Sequence, residues 1–225
     1  KINIIKYLLS NKKHVLVEKP LFADSSEVIL ELKQLSEKNG VTCYTAYNHR
    51  FEPHISSVRK ILQSGELGKI YLMRVFYGNG TAQEVKNSAW RDKGTGVLAD
   101  IGSHLLDMVL FLFESQDFQF VPSAFRAMEN KSYDYVSFVT DEGMPHIQME
   151  ATLLSWRNTF GLDILAQNGS AHISCLSERP EAGDDQCAGG AAAPVLGELG
   201  DLQLPAGDDR RRGRLHGCAG SRRAH

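Results

Sequence analysis

The order of elements along the chain is decided by residues 2–46, which run INIIKYLLSNKKHVLVEKPLFADSSEVILELKQLSEKNGVTCYTA. Apolar residues at helical spacing predict a helix over Ile2–Leu9, and the compact apolar run His14–Val17 predicts a buried strand. The same two patterns recur as a helix over Ser26–Lys38 and a strand over Val41–Ala46. Helix, strand, helix and strand in alternation are typical of a parallel α/β sheet.

The sequence after residue 46 predicts an α+β arrangement. Helical periodicity occurs over Pro53–Gln63 and over Leu98–Phe113, and residues 78–96 predict a loop. Turn-forming residues at 141–143 and 168–169 separate apolar runs where hairpins are expected. The predicted strands are Ile70–Tyr77, Phe118–Val121, Tyr133–Thr140, His146–Leu154, Trp156–Ala166 and Ala171–Ser174. Four or more antiparallel strands after a helix indicate an open sheet.

The composition changes abruptly at Ser177. All 10 Phe, 7 Tyr and 2 Trp residues precede this position. The remaining segment, 177–225, is rich in Gly, Ala, Asp and Arg and lacks the aromatic and β-branched content of strands. We therefore expect 177–225 to be an aberrant, low-complexity and disordered tail.

Charge and cysteine content exclude several classes of protein. The formal net charge is -2 and the isoelectric point is near 6.5, so nucleic acid and anionic membranes are not expected partners. No apolar run approaches the ~18–20 residues of a membrane span. The 4 Cys residues contain no CxxC pair, so neither a disulfide framework nor a metal site is expected. This cysteine usage favours a reducing cytoplasm.

Glu18-Lys19-Pro20 directly follows the predicted strand His14–Val17. A lysine at the C-terminal end of a parallel strand lies where open α/β sheets bind ligands. The proline fixes the backbone there, in a trans or a cis bond. A strand-ending turn with a solvated lysine is the alternative, and spacing alone leaves both open.

Asp100 and His104 are four residues apart in a predicted helix, so both side chains face the same side, one turn apart. An imidazole beside a carboxylate makes an acid/base pair that works near neutral pH. Asp107 continues this face. In the alternative interpretation, Asp100 is favoured by the helix dipole and His104 is a satisfied, partly buried histidine.

Two further segments carry hydrogen-bonding side chains. Tyr47-Asn-His-Arg-Phe51 follows the strand Val41–Ala46, so His49 and Arg50 are candidates to line the same crevice as Lys19. Trp90-Arg91 supplies an aromatic wall and a guanidinium fork suited to a polyhydroxylated ligand. A polar loop and an ordinary surface pair are the respective alternatives.

The segment Gly94-Thr-Gly96-Val-Leu-Ala99 matches the spacing of the G-x-G-x-x-A dinucleotide fingerprint and precedes a helix. That fingerprint requires a buried strand immediately before it, which residues 87–93 do not predict. We therefore expect no phosphate loop here, and no other segment supplies a candidate.

These segments, in this order, resemble the Gfo/Idh/MocA family of NAD(P)-dependent sugar and inositol oxidoreductases. The resemblance runs from about Ile2 to Ser174. It is carried by HVLVEKPLF at 14–22, YNHRFEP at 47–53, SGELGKI at 64–70 and WRDKGTGVLADIGSHLLD at 90–107.

The resemblance implies an α/β fold in which 1–46 is the C-terminal part of a Rossmann dinucleotide-binding domain. Residues 47–176 would then form an α+β domain with a mainly antiparallel open sheet, which binds substrate and mediates oligomers. A cytoplasmic homo-oligomer acting on a small polyol or sugar is implied.

The resemblance also implies the chemistry. His104 would take the proton from a C–OH group of a sugar, inositol or nucleotide-sugar as hydride leaves for NAD or NADP. Lys19 would polarise the reacting oxygen, and Asp100 would orient the substrate or the base. The implied cofactor-binding residues are Glu18, Lys19 and Pro20, and the implied substrate-binding residues are His49, Arg50, Trp90 and Arg91.

Two departures from the family pattern qualify this expectation. The family's N-terminal β-α-β unit, with its own G-x-G-x-x-G, has no counterpart, so we expect a fragment that binds NAD(P) poorly or not at all. The break at Ser177 suggests a shifted reading frame or an aberrant terminus. A non-catalytic binding or scaffold member of the same fold is the alternative function, although Lys19, Asp100 and His104 are all retained.

Overall fold

The structure of the chain is a computed structural model that describes residues 1–21, 25–88, 90–114 and 118–176. Within these ranges, two separate hydrophobic cores form, one for each of two sheets. The segment 177–225, predicted to be an aberrant tail, lies outside the described residues.

The N-terminal unit confirms the predicted alternation of helices and strands. Its elements are α1 (Ile2–Ser10), β1 (Val15–Val17), α2 (Ser26–Asn39) and β2 (Cys43–Thr45). The two strands pair in parallel, with Val15 opposite Cys43. Both helices turn apolar side chains toward the strands, because their apolar residues recur at helical spacing. The buried residues of this small core are Ile5, Leu9, Val17 and Leu32.

A short connection joins the two units. A 3-10 helix, Asn48–Phe51, begins three residues after the end of β2 and leads into α3 (Pro53–Ser64). Proline is favoured at the first position of α3, where its missing N–H is not needed, and Gly65 ends the helix with a φ of 74°. This connection carries the predicted His49-Arg50 segment toward the larger unit.

The larger unit is built on a six-stranded sheet of order β4-β5-β6-β3-β7-β8. Its strands are β3 (Ile70–Gly78), β4 (Phe120–Arg126), β5 (Tyr135–Thr140), β6 (His146–Thr152), β7 (Thr159–Ala166) and β8 (Ser170–Ile173). Strand β3 is parallel to β6, and every other pairing in this sheet is antiparallel, so the sheet is mainly antiparallel as predicted. The segments 141–143 and 168–169 lie in the two predicted hairpins.

One face of the sheet packs against α3 and α5 (Ser103–Phe113) and forms the larger core. The register aligns a row of buried side chains across five strands, and its members are Phe138, Met149, Val75, Leu162 and Ile173. This row is possible because alternate residues of each strand face the helices.

The structure differs from the sequence prediction at two places near the site. The loop predicted over 78–96 contains a short helix, α4 (Ala82–Lys86). The helix predicted over Leu98–Phe113 begins with a π-helical turn, Leu98–Gly102, before α5. Such turns are frequent at functional sites, and this one contains Asp100. Among the helices in the described ranges, none has the length and apolar character needed to cross a bilayer.

Candidate active site

Lys19 and Asp100, 81 positions apart in sequence, meet at one point in the structure. Lys19 Nζ donates to Asp100 Oδ1 at 2.6 Å and to the Asp100 backbone oxygen at 2.9 Å. Lys19 lies two residues beyond the end of β1, and its bond to Pro20 is cis. The fold therefore joins the first two sequence candidates into one lysine–carboxylate pair.

Asp100 lies between two cations. Its Oδ2 atom is 3.6 Å from Arg91 Nη2, while its Oδ1 atom accepts from Lys19. Lys19, Arg91 and Asp100 all line one cavity. Asp100 thus contacts both the N-terminal unit, through Lys19, and the segment after Trp90, through Arg91.

The cavity at this pair has a volume of about 720 Å³. Its lining residues are Lys19, Pro20, Val85, Trp90, Arg91, Lys93, Gly94, Thr95, Gly96, Ala99, Asp100 and Leu153. This size falls in the range of small-molecule sites. Trp90, which is 77% exposed, forms part of the wall. The predicted pair Trp90-Arg91 therefore lies at the same cavity as Lys19 and Asp100.

His104 lies in the first turn of α5, behind this cavity rather than in its lining. Its side chain is 7% exposed, and its Nδ1 atom is buried without a hydrogen-bond partner in the described structure. Burial lowers the pKa of His104 to about 3, helped by the charges of His49 and Lys19 and opposed by Asp100. The imidazole is therefore neutral at neutral pH.

His49 lies against His104 rather than in the cavity lining. The two imidazole centroids are 4.5 Å apart, and the Tyr77 ring meets His49 edge-on at 5.5 Å. Burial, followed by the charge of Lys19, lowers the pKa of His49 to about 4. Like that of His104, its Nδ1 atom is buried without a partner in the described structure. His49 therefore contacts the candidate base directly.

Two tyrosines complete the surroundings of the histidines and were not singled out as sequence candidates. Tyr47 meets His104 edge-on at 5.5 Å, and Tyr77 contacts His49. Burial raises the pKa of both phenols. The position of Tyr47 in the YNHRFEP segment was an available signal, whereas Tyr77 ends an ordinary strand and gave none.

Arg50 is held by α5. Its Nε atom donates to Asp107 Oδ2 at 2.7 Å, and its Nη2 atom donates to Asp107 Oδ1 at 2.5 Å. The guanidinium also lies 5.4 Å from the centroid of the Phe111 ring. Asp107 is only 8% exposed. This bidentate pair anchors the connection after β2 to α5 and places Arg50 outside the cavity lining.

The turn that forms one cavity wall is clamped at both ends. Asp92 accepts the backbone N–H of Ser132 at 2.7 Å and of Lys131 at 2.9 Å. The Val97 N–H donates to the Tyr133 oxygen at 2.7 Å. These contacts fix the glycine-containing segment between them against the β4–β5 connection.

A dinucleotide needs a suitable place for its reacting ring and a cradle for its phosphates. Of the three predicted cofactor-binding residues, Lys19 and Pro20 line the cavity, and Glu18 is exposed beside them. The turn at Gly96 does not supply the cradle for the phosphates. None of the described residues immediately before its turn forms a strand, and a Cβ atom on Gly96 would lie 2.1 Å from the Tyr133 oxygen. The described residues therefore fit the reacting end of NAD or NADP. They hold no group of three or more candidate metal ligands.

A neutral buried histidine near a lysine–carboxylate pair is an arrangement suited to general acid–base chemistry. Comparison with known proteins identifies the family of the chain. The model of the GFO/IDH/MocA C-terminal domain matches residues 55–171, just over half of the 225 residues. The chain belongs to this family, and the predicted family and α/β fold class are confirmed.

Two similar proteins in the curated set are named as dehydrogenases. The chain is 33% identical over 127 residues to glucose-6-phosphate 3-dehydrogenase of Bacillus subtilis, covering 54% of this chain and 35% of that protein. It is 36% identical over 104 residues to scyllo-inositol 2-dehydrogenase (NADP(+)) IolW of Bacillus subtilis, covering 45% of this chain and 28% of that protein. The chain thus spans about a third of the length of these curated relatives.

A solved structure has the same fold. The inositol dehydrogenase homolog of Azotobacter vinelandii, complexed with NADH and myo-inositol, matches with a TM-score of 0.68 and 18% identity. The match covers 77% of this chain and 47% of that one. Homologues of this chain are accordingly NAD(P)-dependent sugar and inositol dehydrogenases.

Proposed function

We propose that this chain carries the proton-transfer and substrate-binding part of an NAD(P)-dependent dehydrogenase. The substrate would be a secondary hydroxyl, or the matching keto group, of a sugar, inositol or nucleotide-sugar. The observation that carries this proposal is the Lys19–Asp100 pair at the cavity. His104 follows Asp100 by four residues, in the first turn of α5. Residues 1–46 would belong to the dinucleotide-binding domain and 47–176 to the substrate domain.

In this proposal His104 is the general base. Its imidazole is neutral because burial disfavours the charged form, so a nitrogen lone pair is available at neutral pH. When the hydroxyl carbon loses hydride, the hydroxyl proton passes to this ring. The resulting imidazolium is stabilised by the nearby Asp100 carboxylate, whose charge acts on His104 in that direction.

Lys19 polarises the reacting oxygen. Its ammonium group has three N–H donors, and two of them are donated to Asp100. The third is assigned to the substrate oxygen, on which negative charge develops as the proton leaves. Asp100 keeps the ammonium oriented for that contact. This division of roles assigns each charged group of the pair a separate task.

The cofactor, when bound, accepts or supplies the hydride. Lys19 and Pro20 would hold its reacting end, with Glu18 beside them. We expect these residues alone to bind it weakly, since the described turn at Gly96 cannot cradle phosphates. A dissociation constant of roughly 1 mM or weaker corresponds to no more than about 4 kcal/mol of binding free energy.

Trp90 and Arg91 would bind the substrate, because both line the cavity. His49 and Arg50, also predicted to bind substrate, make contacts that favour a supporting role through His104 and Asp107. Homo-oligomerisation and a cytoplasmic location stay predictions.

The test measures nicotinamide reduction by the full chain with millimolar NAD or NADP and a panel of sugars and inositols. We expect His104→Gln to lower kcat/KM by roughly 100-fold to 10,000-fold. His54→Gln, on α3, is the matched control and should leave it within about twofold. Equal activity of wild type and His104→Gln would remove the proposed base.

A second measurement tests the cofactor part alone. NADH fluorescence on titration should change only at roughly millimolar concentration. Saturation at micromolar NADH would contradict the expected weak binding. Absence of turnover with every substrate and both cofactors would favour a non-catalytic member of the fold.

A further inference from the structure

The cavity at the Lys19–Asp100 pair has a lining with an excess of positive charge. Among the described lining residues the cations are Lys19, Arg91 and Lys93, and the one acidic residue is Asp100. The closer contact of that carboxylate is with Lys19, at 2.6 Å. A single carboxylate balances only one cation, so positive charge is left over. A cleft with this balance attracts a negatively charged ligand.

Arg91 is the cation whose donors are least used. Its Nη2 atom lies 3.6 Å from Asp100 Oδ2, which is too long for a hydrogen bond. Its guanidinium donates no hydrogen bond to any other residue of the described ranges. The side chain is only 30% exposed. Since a partly buried donor is stabilised by an acceptor, a ligand with anionic oxygens would complete this guanidinium.

The acidic neighbour of Arg91 in sequence does not neutralise it. The Asp92 carboxylate accepts the backbone N–H groups of Lys131 at 2.9 Å and Ser132 at 2.7 Å. The Ser132 hydroxyl donates to the same carboxylate at 2.9 Å. Asp92 is engaged by the β4–β5 connection in this way, and it is not among the described residues that line the cavity. The charge of Arg91 therefore stays available to a ligand.

The backbone around Arg91 is fixed on both sides. The Arg91 N–H donates to the Ser88 oxygen at 3.1 Å, and the Lys93 N–H donates to the Arg91 oxygen at 2.8 Å. A side chain on a fixed backbone loses less conformational freedom when it binds a ligand. The planar fork of a guanidinium matches two oxygens of one carboxylate or phosphate group.

Arg91 and Lys19 are close enough to contact one small ligand. Their cationic groups lie beside the two oxygens of the same Asp100 carboxylate. A single sugar ring with one anionic substituent is therefore long enough to reach both. Apolar residues in the lining, among them Val85 and Leu153, lower the local dielectric constant and strengthen the attraction between unlike charges.

We propose that Arg91 binds an anionic group, a carboxylate or a phosphate, on the sugar or inositol that reacts beside Lys19. This inference rests on the proposed function and specifies its substrate class as acidic sugar derivatives. The contact is made by the Arg91 side chain and not by the backbone of the Gly96 turn. Two N–H donors of the fork bond to two oxygens of the anion, and Asp100 stays with Lys19.

Isothermal titration calorimetry of the full chain tests binding without any turnover. Two matched pairs of ligands are compared, glucuronate with glucose and myo-inositol 1-phosphate with myo-inositol. We expect the charged member of at least one pair to bind at least about tenfold more tightly than its neutral partner. Preference in the first pair indicates a carboxylate, and preference in the second indicates a phosphate. Equal affinity within both pairs, or no binding of either charged member, would overturn the proposal.

Variants of Arg91 assign the preference to the guanidinium. Arg91→Met removes the charge and the fork, so the preference for the charged ligand should fall about tenfold or more, with the affinity for the neutral partner within about twofold. Arg91→Lys keeps the charge without the fork and should give an intermediate preference, which also tests the proposal if Arg91→Met does not fold. Arg74→Met is the matched control, because Arg74 is exposed outside the cavity and bonds to Gln148. A preference that persists in Arg91→Met and Arg91→Lys would contradict the proposal.

Competition distinguishes the sugar from the cofactor as the source of the anion. ADP-ribose carries the two phosphates of NAD without the nicotinamide. We expect it to leave the affinity for the charged sugar unchanged within about twofold. Displacement of the charged sugar by ADP-ribose, with binding of ADP-ribose that weakens in Arg91→Met, would assign Arg91 to the cofactor and overturn the proposal.

The two proposals fail separately. Turnover of neutral sugars together with equal affinity within both ligand pairs overturns the anion site and keeps the dehydrogenase. A preference for the charged sugar that depends on Arg91, without any turnover, keeps the anion site and overturns the dehydrogenase.

Discussion

Replacing Arg50 by alanine separates an anchoring role from direct substrate binding. The guanidinium makes two hydrogen bonds to Asp107, whose side chain is almost fully buried, and stacks on Phe111. Removing one partner of a buried ion pair costs about 3–5 kcal/mol, because the other charge is left unpaired. Arg50 is partly exposed, so water can reach part of the vacated space, and we expect the low end, about 3 kcal/mol.

The assay is equilibrium unfolding in urea, followed by circular dichroism. With a slope of roughly 1–3 kcal/mol per molar urea, the midpoint of Arg50→Ala should fall by about 1 M or more. Arg50→Lys keeps the charge but loses the fork, so an intermediate loss of about 1–2 kcal/mol is expected. The double variant Arg50→Met/Asp107→Leu should be more stable than Arg50→Ala, since it leaves no buried charge unpaired.

A direct role of Arg50 in substrate binding would give a different result. If the free energy of unfolding of Arg50→Ala is within about 1 kcal/mol of the wild-type value and the variant only raises KM, then Arg50 binds substrate rather than anchoring the connection after β2.

Three further predictions concern the site and its turns. Burial lowers the pKa of His104 to about 3 from an ordinary 6.5, so the unfolded chain binds a proton at this residue at a higher pH than the folded chain does. The free energy of unfolding therefore falls as the pH drops from about 6.5 toward 3. His104→Gln should reduce that loss by about 2 kcal/mol at about pH 5, measured by urea unfolding. Gly96→Ala combines a φ of 52° with a Cβ clash against the Tyr133 oxygen, so it should lower the free energy of unfolding by about 2–4 kcal/mol. Gly94→Ala, at a φ of 63° with open space around the Cβ atom, should lower it by about 1 kcal/mol in the same urea assay. Equal losses of stability in the two variants would contradict the clash. Trp156→Gly removes the strain of a bulky residue at a positive φ and loses no buried apolar surface, so it should stabilise the fold by about 1 kcal/mol in thermal melts. A loss of stability would show that the exposed indole supports the fold.

Most of the fold was predictable because its elements follow local periodicity. Helices α1, α2 and α3 and strand β3 occur within one or two residues of the predicted bounds. The short helix α4 was missed, since five residues carry too little periodic pattern to stand out from a loop. The strand predicted to begin at Trp156 begins at Thr159, because the left-handed backbone of Trp156 cannot continue a strand.

Pairing between distant strands was not predictable from local pattern. Strand β3 lies between β6 and β7 in the sheet, parallel to one and antiparallel to the other. Alternation along β3 shows which face is buried, but it carries no information on which strand lies beside it. The open, mainly antiparallel sheet was predictable, whereas its order was not.

The candidate site shows the same division. Lys19 was predictable as a residue after a strand, and Asp100 and His104 as neighbours on a helix. Their meeting across 81 positions depends on tertiary packing and entered the sequence prediction only through the family resemblance. The contact of His49 with His104 also depends on packing, and spacing alone suggested instead a residue facing the cavity.

The central claim is that the residues around Lys19, Asp100 and His104 serve hydride transfer from a hydroxyl carbon. Single-turnover incubation of the full chain with myo-inositol deuterated at its ring carbons, and with NAD or NADP, tests it most directly. We expect one deuterium in the reduced nicotinamide, detected by mass spectrometry, and its loss in His104→Gln. Reduced nicotinamide without the label, or equal labelling by His104→Gln, would contradict it.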